Sequence, residues 1–293
     1  MSSTLYRRGF VNKSILCLAA LLALGTADAS AEEMAIPPSR FISRTLPYLP
    51  WTGFYAGING SYAWGNSSVT FAPNDPASAS GTCGASGSPK GQCIPSEDFR
   101  RDGPFAGGEF GYTWQFNSQW LIGGEADYQW ADFSGSAIAP FSLGNMGNTH
   151  MTVSQKVESF GTVRARIGVV LLSPLVLYGT GGFAYGQVNE NLTVPSGATG
   201  TLSSSGFSYS CAAGSTQCFS GSSSRTLMGW TAGAGLDYAV TSNLIFRTEV
   251  LYVWLPSNQA TVSATGVANP ASFIATFSPI YFATARFGLY LRF

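Results

Sequence analysis

Charged side chains recur in this chain two residues apart. Glu125 and Asp127, Lys156 and Glu158, Arg164 and Arg166, and Arg247 and Glu249 are such pairs, and Glu109, Asp237, Arg286 and Arg292 stand in similar surroundings. A spacing of two places both members of a pair on one face of an extended strand. Opposite charges held at similar depth inside a ring of strands would pair across it as a structural network. The same groups could instead line a narrow path for ions. Hydrolysis is the competing chemistry, and it needs a histidine beside a serine or a carboxylate. The one histidine, His150, stands alone in a segment that reads as a loop. The many Gly-x-Gly strings lie within alternating segments rather than phosphate-binding turns, where glycine allows close packing and curvature. The chain is therefore read as non-enzymatic and without a cofactor.

Four cysteines could also do chemistry: Cys83, Cys93, Cys211 and Cys218. A fifth, Cys17, lies in the N-terminal segment discussed next. Two close pairs in an exported chain point to disulfides, expected as Cys83–Cys93 and Cys211–Cys218. Zinc is the rival reading, but the spacings do not match a zinc ribbon.

Residues 1–31 read as a signal peptide. Arg7, Arg8 and Lys13 make a basic start, Ile15 to Leu24 is too short to span a bilayer, and Ala-x-Ala sites end at Ala29 and Ala31. Cleavage is expected after Ala31, with Ala29 as the alternative. The twin-arginine look of Arg7-Arg8 and the lipoprotein look of Cys17 are both discounted, because a barrel crosses unfolded and Leu16 is too large for a lipoprotein site. Removal takes three of 15 cations and one of 15 anions, leaving 12 and 14. Residues 32–50 hold Pro37, Pro38, Pro47 and Pro50 and read as an extended lead-in.

From residue 51 onward the chain alternates. The last segment is the clearest: Tyr281, Ala283, Ala285, Phe287, Leu289, Leu291 and Phe293 share one parity, against Thr284, Arg286, Gly288 and Arg292. Seven other segments repeat the pattern, near residues 51–64, 99–116, 122–130, 153–170, 175–188, 226–240 and 244–255. Each sets aromatic and aliphatic residues against the charged or small ones. In the first, Tyr55 is the exception on the polar face. In the fourth, Val157 and Val163 are expected on the apolar side. Connections near 117–119, 171–174 and 241–243 are short, and those near 73–98, 134–152, 189–224 and 257–278 are long.

Composition sets the solvent. Only 10% of residues are charged, against about 25% in soluble proteins, while 14% are aromatic, and formal net charge is zero. Nucleic acid is not an expected partner. A water-soluble barrel would bury the charged face and expose Trp64, Trp114, Trp130, Trp230 and Trp254, which costs too much on both sides. The expected fold is all-β: a closed antiparallel eight-stranded transmembrane β-barrel, with four long extracellular loops and three short periplasmic turns. Aromatic residues near strand ends read as interfacial girdles.

Several stretches carry a resemblance. Trp51-Thr52-Gly53-Phe54-Tyr55-Ala56-Gly57 resembles the first strand of small outer-membrane β-barrel proteins of alphaproteobacterial type, the porin-family or opacity-like group. Gly161-Thr162-Val163-Arg164-Ala165-Arg166, Leu177-Tyr178-Gly179-Thr180-Gly181-Gly182, Gly229-Trp230-Thr231-Ala232-Gly233-Ala234 and Arg286-Phe287-Gly288 match in the expected order over residues 51–293. The resemblance implies an outer-membrane location, outer-membrane lipid as surroundings, and assembly by the barrel-insertion machinery. That machinery would read a final strand bearing Phe287, Leu289, Leu291 and Phe293. Function is expected to be structural, supporting the envelope and displaying loops. A narrow porin-like channel and an adhesin acting through the loops are the alternatives. Oligomeric state is left open.

Overall fold

A computed structural model describes residues 51–83, 96–141, 149–195, 200–204, 206–211 and 217–293. These fall in one unit, Leu46–Phe293. The expected signal peptide, the lead-in at 32–50, Cys93 and the side chains of Cys83 and Cys211 lie outside what is described.

The strands are β1 (Gly53–Pro73), β2 (Glu97–Gln115), β3 (Trp120–Phe141), β4 (Thr149–Leu172), β5 (Leu175–Pro195), β6 (Gly200–Ser204), β7 (Phe207–Cys211), β8 (Gln217–Ala239), β9 (Leu244–Leu255), β10 (Asn258–Ala264), β11 (Ser272–Phe277) and β12 (Ile280–Arg292). One short helix, α1 (Pro76–Cys83), follows β1. Asp75 caps it by accepting from the Ala77 and Ser78 amides at 3.0 and 2.8 Å.

Eight strands form an antiparallel ring in the order β1-β2-β3-β4-β5-β8-β9-β12, and β12 pairs back onto β1. Three tight turns join β2 to β3, β4 to β5 and β8 to β9, all at one end. In the first, Asn117 Oδ1 accepts from the Gln119 and Trp120 amides. At that end Phe293 is tied into the ring by its amide, which donates to the Phe54 carbonyl at 3.0 Å.

Alternation decides what each strand shows outside. Phe54, Ile58, Tyr62 and Trp64 of β1 point outward, as do Phe110, Tyr112 and Trp114 of β2 and Phe287, Leu289 and Leu291 of β12. Ile58 is 72% exposed and Phe293 71%. These side chains make one apolar band. Trp114, Phe116 and Trp120 edge it at the turn end, and Tyr62, Trp64, Trp130 and Tyr281 at the far end. On β1 the band runs about 10 residues, the length a tilted strand needs to cross hydrocarbon.

The strands continue well past the band, which corrects the expected loop boundaries. β3 and β4 run into 134–152, β5 and β8 into 189–224, and β10 with β11 fills most of 257–278. His150 accordingly sits on β4, exposed. Beyond the band β10 and β11 take the places of β9 and β12, pairing with β8 and β1. These extensions read as loops because their outward faces are largely Ser, Thr, Asn and Gln. Their inward faces are apolar, however, and Val69, Phe71, Met151, Val153, Leu192, Phe219, Val262 and Phe273 build a separate core there.

Glycine matters most under the inward tyrosines. A Cβ at Gly235 would run into the Tyr178 ring, and one at Gly111 into Tyr55. At outward-facing Gly60 the space is open. Gly235→Ala should therefore cost about 1–3 kcal/mol through overpacking, while Gly60→Ala is near neutral. Urea unfolding in detergent, followed by heat-modifiable gel mobility, checks this contrast.

Candidate functional site: the buried charge network

Inside the band the ring encloses ions. Glu109 on β2, Glu125 and Asp127 on β3, Arg164 and Arg166 on β4, Asp237 on β8, Arg247 and Glu249 on β9, and Arg286 on β12 all point inward and are buried. Each gets there by strand parity, opposite to the apolar side chains beside it. Five carboxylates thus face four guanidiniums across the ring.

Arg164 is the hub. Its Nη2 lies 3.3, 3.1 and 3.2 Å from carboxylate oxygens of Glu109, Glu125 and Asp127, and its Nη1 lies 2.9 Å from Glu249 Oε1. Arg166 binds Asp237 at 2.6 Å and reaches Glu125 at 3.5 Å. Arg247 binds Asp237 through Nε at 2.6 Å and also contacts Glu109 and Glu125. Arg286 spans Glu109, Asp127 and Glu249 at 3.2, 3.2 and 3.6 Å. Carboxylates shared among several guanidiniums meet the desolvation cost of burying charge better than isolated pairs would.

Tyrosines floor the network on the turn side. Tyr55 Oη donates to Glu125 at 2.8 Å and Tyr178 Oη to Glu249 at 3.0 Å. The Arg166 guanidinium stacks 3.8 Å from the Tyr178 ring centroid, and Arg247 lies 4.5 Å from that of Tyr290. Thr180 and Thr162 donate to Glu125 and Asp127. On the far side lies an aromatic layer of Phe105, Phe133, Phe160 and Phe282, with ring centroids 4.9–6.0 Å apart.

Three expected members are elsewhere. Lys156 and Glu158 face outward, and Lys156 pairs with Asp132 at 3.0 Å on the exposed surface. Register shifts between Trp130 and Phe133 of β3 and between Val157 and Ser159 of β4 mark bulges. The extra residue reverses parity along β4, so Val157, expected outside, is fully buried. Arg292 also stays out of the network; at the turn end it lies over Trp51 and donates to the Ser242 carbonyl.

Sequence reasoning missed Tyr290, which has the parity of Arg286 and needed only to be counted. It also missed a second polar layer beyond the phenylalanines: Arg101, Gln155, Glu190 and Asn258. Arg101 shares parity with Glu109, and Glu190 with Tyr178 and Thr180, so both were readable. Gln155 was hidden by the bulge and Asn258 by the loop assignment.

Cys218 is buried and disulfide-bonded. The sulfur that pairs with it lies outside the described residues, so the expected pairings with Cys211, and of Cys83 with Cys93, stay as expectations. Phe287, Leu289, Leu291 and Phe293 stand together on the outward face at the end of β12.

A ring with charges inside, hydrocarbon-like side chains outside and aromatic edges agrees with what known sequences show. The outer membrane protein beta-barrel domain matches residues 17–273. The chain belongs to this family. A 31 kDa outer-membrane immunogenic protein of Brucella melitensis is 31% identical over 96% of this chain and 100% of its own length. A 25 kDa outer-membrane immunogenic protein of Brucella canis is 26% identical over 83% and 82%. Among solved structures, the outer membrane protein OprG from Pseudomonas aeruginosa is similar at a TM-score of 0.45 and 14% identity, over 83% of this chain and 97% of that one. The protein is located in the outer membrane.

Removing one member of a shared network strands its partners. Arg164→Ala should cost about 3–5 kcal/mol and reduce the folded, fast-migrating species on unboiled gels. Arg164→Met combined with Glu249→Leu should lose less than the two single changes together, because a pair leaves the low-dielectric interior with its charge balanced.

Proposed function

We propose that this protein is a structural outer-membrane barrel: a closed transmembrane ring with a filled lumen that supports the envelope and displays its far end to the medium. The observation that carries the reading is the stacking of the interior. Tyrosines, the charge network, the phenylalanine layer, the Arg101–Glu190 polar layer and the far-end apolar core follow one another along the axis. Each layer reaches across the ring, and eight strands leave room for little more than side chains.

The three tight turns are assigned to the periplasm and the long connections to the outside, as in barrels of this size. The name immunogenic, borne by the Brucella relatives, is in keeping with a far end that faces the medium. Outer-membrane lipid is the partner of the apolar band. Phe287, Leu289, Leu291 and Phe293 are proposed as the mark read by the assembly machinery. A non-catalytic role fits the solitary, exposed His150.

Planar-bilayer recording separates this reading from a porin-like channel. Purified protein should insert without opening steps. Regular nanosiemens steps that vanish on heat denaturation would overturn the structural reading and favour the channel.

A further inference from the structure

Through most of the apolar band the strands are laddered on both sides. At its far margin and beyond the ladder lapses, most extensively in two places. One follows the Asp102–Ser134 pair of β2 and β3. The other is bracketed by ladder at both ends: β8 pairs with β9 up to Trp230–Trp254, then with β10 only at Ser220–Ser263 and Phe219–Ala264. From Gly221 to Gly229 no ladder pair joins β8 to the strand on that side. The lapse starts where Pro256, which has no N–H, separates β9 from β10. Yet β10 lies tight against β8, since a side chain at Gly221 would meet the Thr261 backbone.

Side chains hold it there. Asn258 Nδ2 donates to Glu190 Oε2 at 2.9 Å and to Ser223 Oγ at 3.3 Å. Gln155 Nε2 donates to Glu190 Oε1 at 2.7 Å. Gln155 Oε1 accepts from Arg101 Nη1 at 2.6 Å and from Ser67 Oγ at 3.2 Å. This strap links β1, β2, β4, β5, β8 and β10 around one buried carboxylate. Its far side is anchored too, where Asp75 accepts from the Ser272 amide at the start of β11.

We propose that β10 and β11 form a flap in the wall, held against β8 by the Glu190 strap, whose release opens the ring sideways just beyond the bilayer. The inner side of the flap carries Val262, Phe273 and Phe277, so the open form is a minor one, of the kind reached by local opening. The state of Glu190 sets the balance. The charged groups facing it are Arg101 of β2 and Arg225 of β8; β4 and β10 present only the amides Gln155 and Asn258, and β1 a hydroxyl. Glu190 stands past Tyr185, the last outward aromatic of β5, and so outside the membrane-spanning part. Burial pushes its carboxyl up from 4.5 to about 7, against the lowering effect of the two amides and the two arginines. Opening exposes it to water and returns it toward the ordinary value. The closed form thus binds the proton more tightly, so closure is favoured in acid and weakens as pH rises through about 7. Those two values correspond to an opening constant about tenfold larger at pH 8 than at pH 6.

Hydrogen–deuterium exchange on the full chain in detergent, corrected for intrinsic rates, tests this. The β8 amides at Phe219 and Ser220, where β8 is laddered to Ala264 and Ser263 of β10, should open more readily than those of Thr231–Ala239, and about tenfold more at pH 8 than at pH 6. Glu190→Gln should hold the pH 6 level at both pH values, and Asn258→Ala should raise opening at both without changing Thr231–Ala239. Equal protection of the two segments of β8 would overturn the flap. A pH response that survives Glu190→Gln would overturn the role of the strap.

Discussion

Hydrocarbon offers a backbone N–H or C=O no partner, and this constraint orders the whole chain. A sheet surrounded by lipid can have no edge, so β12 must return to β1. The pairing of Tyr55 to Asn66 with Arg292 to Tyr281 closes the ring. The irregularities obey the same rule. The bulges near Trp130–Phe133 and Val157–Ser159 lie at the far margin of the apolar band, and the two long ladder lapses start at that margin and run beyond it. Water can satisfy loose backbone groups there; inside the band nothing else can.

The same solvent inverts the usual placement of charge. An arginine on the lipid face of such a wall would cost several kcal/mol, so the arginines and most carboxylates within the band face inward, where each needs a partner. Sharing supplies it: Arg164 alone touches four carboxylates. Hydroxyls from Tyr55, Tyr178, Thr162 and Thr180 also donate to oxygens of Glu125, Glu249 and Asp127. The exposed Asp102 at the far margin is held by the Tyr62 hydroxyl. Phenylalanines then seal the network on its far side. The interior is thereby set by electrostatics and packing together, and its fullness is what supports a structural rather than a conducting role.

Parity made much of this legible from residue types alone. The eight strands of the ring, the three tight turns, the outward aromatics and nine of the ionisable residues in the network follow from counting by two. Tyr55 was legible as an exception and turned out to be a hydrogen-bond donor to Glu125. Counting by two fails where a residue is inserted, which is why Lys156, Glu158 and Val157 were placed on the wrong sides. It also fails where both faces look unremarkable. The extensions past the band pair small or apolar inward residues with Ser and Thr outward, a pattern weaker than that of a lipid-facing strand. Gln155 and Asn258 lie in those stretches, so the polar layer around Glu190 emerges only once strands distant in sequence are set side by side.

The measurement closest to the central claim asks which face meets hydrocarbon. Bilayers carrying bromine on the acyl chains quench tryptophan that touches them. Trp64, Trp114, Trp120, Trp130 and Trp230 are exposed around both margins of the band. Their fluorescence should fall strongly in brominated bilayers, and most with bromine near the headgroups, while Trp51, buried at the turn end, keeps its emission. A chain that folds in amphiphile-free buffer, or whose emission is unchanged by brominated lipid, would contradict the account.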